Sequence, residues 1–381
     1  MNDPLLEQVR DRLVRAGSPP SETAVARAVR DVGAVLGPDS VLGLARRLRD
    51  DLVGTGPLEP LLADPRVSDV VVNGPHQVLV DRGSGLEPTD VRFGDAEEVR
   101  RLAVRLAGAV GRRLDDAVPW VDAALPDGTR LHAVLPPIAP DGPLISLRVL
   151  GHRTPDLDDL VATGSVPESL LATLRQVIER RLSFLVTGGT GVGKTTVLGA
   201  LLSLVDSRER LVLVEDTREL RPRHPHAVSL VTRAANVEGA GAVGLDDLVR
   251  QALRMRPDRL VVGEVRGREV VDLLAALNTG HEGGCGTIHA NASRDVPARL
   301  EALGLAAGLD RAAVHSQAAA GLHLVLHLTR TRGRRRLSEV AVLTRRDAEV
   351  AVEPAVVVDP DGTVYPGPAA DRLSALVQGL A

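Results

Sequence analysis

Ser183-Phe184-Leu185-Val186-Thr187 runs directly into Gly188-Gly189-Thr190-Gly191-Val192-Gly193-Lys194-Thr195, and no other segment constrains the fold of this chain as tightly. An apolar run of strand character enters a glycine loop, and a helical pattern leaves it near Thr195 and Thr196. That order places the loop at the carboxyl edge of an open, mostly parallel α/β sheet. Its spacing is G-x-x-x-x-G-K-[ST], a phosphate-binding loop. The glycines let backbone N–H groups turn inward beside the positive end of a helix dipole. Lys194 is expected to reach the β- and γ-phosphates of a nucleotide, and the Thr195 hydroxyl to ligate Mg²⁺. Gly188, Gly189, Thr190, Gly191, Val192, Gly193, Lys194, Thr195 and Thr196 are therefore the candidate nucleotide-binding residues.

Composition sharpens this reading at one position. Lys194 is the only lysine among 46 basic residues, and every other one is arginine. The excess of Ala, Arg, Gly and Val has the look of GC-rich coding, common in bacteria, yet this lysine was kept. A compact ammonium on a slim stem fits between two phosphates, where a planar guanidinium is too wide. The absence of further lysines also argues against guanine recognition, because the N-K-x-D motif needs one. Across 381 residues the net charge is −4, which gives no global attraction for nucleic acid or anionic lipid. One cysteine, Cys285, excludes an intrachain disulfide and fits a reducing compartment. No apolar run reaches the ~18 residues of a membrane span, and no signal peptide is visible. A cytoplasmic protein is expected, with any membrane association made through a partner.

The patterning divides the chain into five parts. Residues 1–53 read as a leader of short amphipathic helices, with Leu5, Val9 and Leu13 on one face. Ser21 is a candidate N-cap for the run Val25, Val29, Val32 and Leu36, and a further helix is expected over Leu42–Leu52. Residues 54–150 read as an α+β domain. Its strands lie around Asn73-Gly74-Pro75 and Pro126-Asp127-Gly128, with another over Leu144–Leu150, and its helix is capped by Asp95. Residues 151–166 read as a linker with about one helical turn. Residues 167–345 carry the alternating strands and helices of a parallel sheet covered on both faces, closed by a hairpin over Leu322–Leu328 and Leu337–Leu343. Beyond Arg346 the pattern weakens, and residues 346–381 read as a variable tail.

Acidic strand ends supply the second signal. Val212-Leu213-Val214-Glu215-Asp216 ends in two carboxylates, and Leu260-Val261-Val262-Gly263-Glu264 ends in one. In a parallel sheet these ends open on the same edge as the glycine loop. Glu264 is expected to polarise an attacking water, with Glu215 and Asp216 sharing the duties of base and Mg²⁺ ligation. The bland alternative is that each acid caps the turn that follows it. In Gly280–Asn291, His281 and His289 flank a further strand. A metal site with Cys285 fits no zinc spacing well. Two satisfied core imidazoles are another reading, and the preferred one points both histidines toward the γ-phosphate.

With these residues in place, the chain resembles the secretion ATPases of type II and type IV secretion and type IV pilus systems. Gly188–Thr195, Val214–Leu220, Gly263–Gly267 and Gly280–Asn291 look like that family's Walker A, Asp box, Walker B and His box. The runs Ala234–Gly239, Leu248–Asp258, Gly56–Leu62 and Val71–Pro75 are similar to its tight-adherence (Flp) pilus branch, among members labelled conjugal-transfer-associated ATPases. The resemblance covers roughly residues 50–345, and Gly284-Cys285-Gly286 departs from it where bulkier aliphatic residues are commoner. It implies a homo-hexamer of chains with a RecA-like motor domain and a smaller α+β domain, ATP and Mg²⁺ binding between them. It also implies an inner-membrane platform protein as partner. Arg130 and Arg148 fit the positions of arginines that the family brings to the nucleotide, although solvated outer-face residues are the plain alternative.

The leading expectation is thus an ATPase that powers pilus assembly or protein secretion. A DNA-translocating motor and a nucleotide-dependent regulatory protein remain as alternatives. Nucleic acid is not favoured as a partner, since one Trp, one Tyr and two Phe leave little for base stacking. The arginines Arg332, Arg334, Arg335 and Arg336 at the late hairpin read as a solvated turn, with nucleic-acid contact the minority reading.

Overall fold

The computed structural model describes residues 4–16, 22–34, 36–37, 40–44, 54–83, 85–149, 154–233, 235, 240–331, 333–347 and 349–380. Ser21, Leu150, Arg332, the greater part of Leu42–Leu52 and most of the Ala234–Gly239 run lie outside the described residues. The chain forms two compact units, Met1–His152 and Arg153–Ala381.

The first unit opens with α1 (Pro4–Arg15) and α2 (Glu22–Asp31). Val9 and Leu13 of α1 meet Val25 and Val29 of α2 in a small core of their own, as the helical spacing predicts. After the short α3 (Glu59–Leu62) come β1 (Asp69–Asn73), β2 (Val78–Asp81) and β3 (Leu86–Pro88). Then follow α4 (Ala96–Ala109), β4 (Trp120–Ala124), β5 (Arg130–Val134) and β6 (Leu144–Arg148). Asp95 caps α4 as expected, its carboxylate accepting the Glu98 N–H at 2.7 Å. The strands form a six-stranded sheet in the order β3-β2-β1-β6-β5-β4, antiparallel at every described pairing. Alternation sorts its two faces: Val70, Val72, Leu131, Ala133, Ile145 and Leu147 pack under α4, while Leu144, Ser146 and Arg148 face outward.

The second unit begins with α5 (Leu157–Ala162), the helical turn expected in the linker, closed by a reciprocal capping box between Asp156 and Asp159. It continues through α6 (Leu171–Glu179), β7 (Phe184–Gly188), α7 (Lys194–Leu202), β8 (Leu211–Glu215) and β9 (Ala227–Val231). Next are α8 (Leu245–Ala252), β10 (Arg259–Val265), α9 (Glu269–Leu277), β11 (Cys285–Ile288), α10 (Val296–Ala306) and α11 (Arg311–Gly321). The chain finishes with β12 (Leu324–Thr331), β13 (Arg334–Arg346), β14 (Glu349–Val358), β15 (Val364–Pro366) and α12 (Ala370–Gln378). All nine strands join one sheet in the order β15-β14-β13-β12-β7-β11-β10-β8-β9. From β12 to β9 the neighbours are parallel, and β12 to β15 form an antiparallel extension. This is the α/β architecture the sequence led us to expect.

Both faces are covered, which is why the central strands read as unbroken apolar runs. Phe184 and Val186 of β7 enter the core under α5, α6, α7 and α12, whereas Leu185 enters the one under α8 to α11. Each such side chain contributes about 1.5–3 kcal/mol when buried. The segment beyond Arg346, unreadable from its pattern, supplies two strands and a helix. Pro354 sits at a break in the β13–β14 register, where Ala341 pairs with Pro354 but Val340 with Val356. A bulge is where a proline is tolerated inside a sheet, and it also disrupts the period-2 signal.

Candidate functional site

β7, β11, β10 and β8 are neighbours that all point the same way, so their carboxyl ends share one edge of the sheet. The glycine loop leaves β7 at that edge. Gly188 (φ +145°) must lack a Cβ, because one would collide with the Leu328 carbonyl oxygen of β12. Gly193 (φ +96°) opens α7 in a left-handed conformation that suits glycine. The loop therefore runs from the end of β7 straight into the start of α7.

Lys194 lies at the centre of the edge and is only 8% exposed. Its Nζ donates to the carbonyls of Gly188 at 3.1 Å and Gly189 at 2.7 Å, and lies 3.3 Å from His289 Nε2. Burial lowers the Lys194 pKa, and the Glu264 carboxylate opposes that shift. Glu264, near the end of β10, places Oε1 3.3 Å from His289 Nε2. Burial, and after it the Lys194 charge, lowers the His289 pKa, so its neutral form is favoured at pH 7. Lys194, His289 and Glu264 thus form one chain of polar contacts from the start of α7, past the end of β11, to β10. Beside it opens a cleft of about 480 Å³, lined by Gly188, Gly189, His289, Asn291, Asp295 and Arg299.

Glu215, the last residue of β8, has a different surrounding. It is 3% exposed, and Oε1 accepts the backbone N–H groups of Glu219 at 3.0 Å and Leu220 at 2.8 Å. Its Oε2 is buried with no partner among the described residues. Burial pushes its pKa up to about 7, against the pull of the two backbone donors. A Cβ at Gly263 would come within 2.7 Å of Glu215 Cγ, so the glycine before Glu264 is what lets β10 pass this side chain. Asp216 turns away to the Arg266 guanidinium at 2.7 Å.

The expected residues are therefore partly assembled. Lys194, Thr195, Glu264 and His289 come together, and Glu215 reaches the same edge while holding the turn that follows β8. His281 does not join them. Its Nδ1 lies 3.3 Å from the Pro257 carbonyl, just before the start of β10, at the opposite end of the parallel strands. The reason is geometric: β11 runs between the two histidines and carries them to opposite edges. Cys285, at the start of β11, is buried in the core, and its thiol pKa is pushed up to about 12. Arg130 and Arg148 are direct cross-strand partners on β5 and β6 of the first unit. Arg130 lies 3.3 Å from Asp122, and Arg148 3.0 Å from Asp69.

Three residues to which the motifs gave no role take part. Glu219 Oε2 stands 3.5 Å from the Thr195 hydroxyl. Buried Glu269 accepts the backbone N–H groups of Arg266 at 2.6 Å and Gly267 at 2.7 Å, fixing the turn after β10. Arg266 holds Asp216. An acid two or three residues past a glycine turn is a usable signal for Glu269, whereas the other two depend on tertiary placement.

Residues Lys194 and Thr195 fit a magnesium nucleotide on the geometry of this edge. A cation is buried against carbonyl oxygens at a helix start, where an anion is favoured, and the Thr195 hydroxyl stands one residue further on with the Glu219 carboxylate across from it. Asp216, engaged by Arg266, is less suited to the metal than the sequence suggests.

Residues 51–359 match the sequence profile of the family described as Type II/IV secretion system protein. A Mycobacterium tuberculosis (strain H37Rv) protein with a provisional conjugal-transfer name is 57% identical over 323 residues, covering 83% of this chain and 92% of that protein. Conjugal transfer protein TrbB of Rhizobium radiobacter is 34% identical over 265 residues, 68% of this chain and 78% of that one. Among solved structures, the Legionella pneumophila ATPase DotB superposes with a TM-score of 0.52 at 18% identity, covering 84% of each chain, a likeness of fold.

Proposed function

The chain belongs to the type II/IV secretion system protein family, and on that premise we propose that it is a motor that hydrolyses ATP to ADP and phosphate. The work so released drives pilus assembly or protein secretion across the cytoplasmic membrane. The observation that carries the reading is the contact chain Lys194–His289–Glu264 at the mouth of the glycine loop.

Each residue has a role in hydrolysis. Lys194 and the loop N–H groups hold the β- and γ-phosphates and neutralise charge that builds as the bridging P–O bond breaks. Glu264 takes a proton from the water that attacks the γ-phosphorus, and neutral His289 holds that carboxylate in place. Thr195, with Glu219 behind it, would hold Mg²⁺, which supplies positive charge to the phosphate oxygens. Glu215 keeps the turn after β8 in place beneath this edge. Arg130 and Arg148, paired with Asp122 and Asp69 in the first unit, are the proposed arginine fingers.

The organisation we propose is a helical leader (1–53), an α+β domain (54–150), a linker (151–166) whose helix α5 packs on the motor's core, and the motor from 167 onward, with the last strands joining its sheet and α12 packing against it. The assembly is a homo-hexamer in the cytoplasm, held to the membrane by an inner-membrane platform protein. Among the described residues no helix is long and apolar enough to cross a membrane. The test is phosphate release from ATP by the purified full chain; none above background overturns the proposal. The conjugal-transfer names of two relatives support a second reading, a DNA-translocating motor. DNA-stimulated turnover that falls steeply with salt would select it.

A further inference from the structure

The arginine-rich ends of β12 and β13 extend past the start of the glycine loop. Leu328 of β12 stands in register with Gly188, so the residues that follow it extend past the loop's first glycine. The next pairs are Thr329 with Arg336, Arg330 with Arg335, and Thr331 with Arg334. Leu328 and Leu337 both face the core that also receives α7. Alternation then puts Arg330 and Arg335 on the α7 side of the sheet and turns Arg334 to the other. One close approach fixes the placement: a Cβ at Gly193 would meet Arg335 Cδ at 3.6 Å. The Arg335 stem thus lies against the residue that opens α7. Its side chain is exposed and makes no hydrogen bond or ion pair among the described residues. Arg336, by contrast, donates to the Asp359 carbonyl at 2.8 Å. Arg335 is also the cross-strand register partner of a second arginine, Arg330.

Resting on the ATP site proposed above, we infer that Arg335 is a further nucleotide-binding residue, its guanidinium bonding phosphate oxygens from the β12 flank of the loop. Glu264 and His289 lie on the other flank of β7, beyond β11 and on β10. Arg335 therefore reaches the α- and β-phosphates, common to ADP and ATP, and leaves the bond being broken to the opposite side. It sets affinity, and the chemical step does not depend on it.

The experiment measures Kd for Mg-ADP and Mg-ATP, and turnover at saturating ATP, with the full chain. Arg335→Ala and Arg335→Gln should each weaken both nucleotides about tenfold, the loss of one charge-assisted hydrogen bond, with turnover within about twofold of wild type. Arg334→Ala, one residue away on the other face, should bind as wild type does. ADP affinity of Arg335→Ala within about twofold of wild type overturns the inference, as does an equal loss in Arg334→Ala, which would mean a diffuse charge effect. Lys194→Ala separates the two levels of the argument. If it loses nucleotide while Arg335→Ala does not, the Arg335 inference alone fails. If wild type binds neither nucleotide, the ATP site itself fails.

Discussion

Glu215 and Glu264 end neighbouring strands after similar apolar runs, yet the two strand ends are different environments. Glu215 is 3% exposed, bound to two backbone N–H groups, and its pKa is pushed up to about 7. The Glu264 side chain is 41% exposed and faces His289 and the Lys194 charge. The difference teaches that an acid at a carboxyl strand end is only a candidate. A following turn that folds back over the strand makes it a structural clamp, and a lysine and a histidine across the edge give it the surroundings of the base we propose. The histidines repeat the lesson, since His289 reaches the loop and His281 the far edge of the same sheet.

The sharpest way to break this contrast is Glu264→Gln. Turnover should fall by about 10²–10⁴-fold while nucleotide affinity is kept, as measured by phosphate release and by equilibrium binding. A comparable loss in Glu215→Gln, which can still accept both backbone N–H groups, would erase the distinction. The histidine pair gives the next largest effect. His289→Ala should slow turnover about 10- to 100-fold by freeing Glu264, whereas His281→Ala should stay within about twofold. The smallest effect is on stability. Because folding raises the Glu215 pKa, the folded chain holds a proton that the unfolded chain has lost across the window from about 4.5 to about 7. Stability contributed by this group is thus intact below the window, falls as pH rises through it, and is lowest above it. At about 1.36 kcal/mol per pKa unit the whole penalty is on the order of 3 kcal/mol. Thermal melts of Glu215→Gln should therefore gain on wild type as pH rises from 5 to 8, and parallel curves would show that Glu215 is not clamped as a buried acid.

Much of this was legible in the sequence, for a physical reason. β7, the loop and α7 announce themselves because buried parallel strands are apolar throughout and a phosphate-binding loop has fixed spacing. The acids of β8 and β10 were visible for the same reason, since a strand end is a local feature. For Glu215 the sequence left two readings, base or cap of the turn that follows, and the bonds from Glu219 and Leu220 favour the cap, while its close packing depends on Gly263 of another strand. Arg266 holding Asp216, and Glu219 approaching Thr195, are likewise contacts between segments far apart in the chain. β14 was hidden by Pro354 and the bulge at Ala355, which interrupt the alternation that marks a strand. The arginine hairpin reads as a solvated turn, and Arg334 and Arg335 are indeed exposed, but no local pattern reveals that Leu328 sits in register with Gly188.

Lys194 ties the loop, His289 and Glu264 together, so its removal tests the account most directly. ATP turnover by purified Lys194→Ala should drop to background while its thermal melt stays cooperative and its secondary structure unchanged. Wild-type turnover in that variant would contradict the account, because the site would then not be the one that hydrolyses ATP.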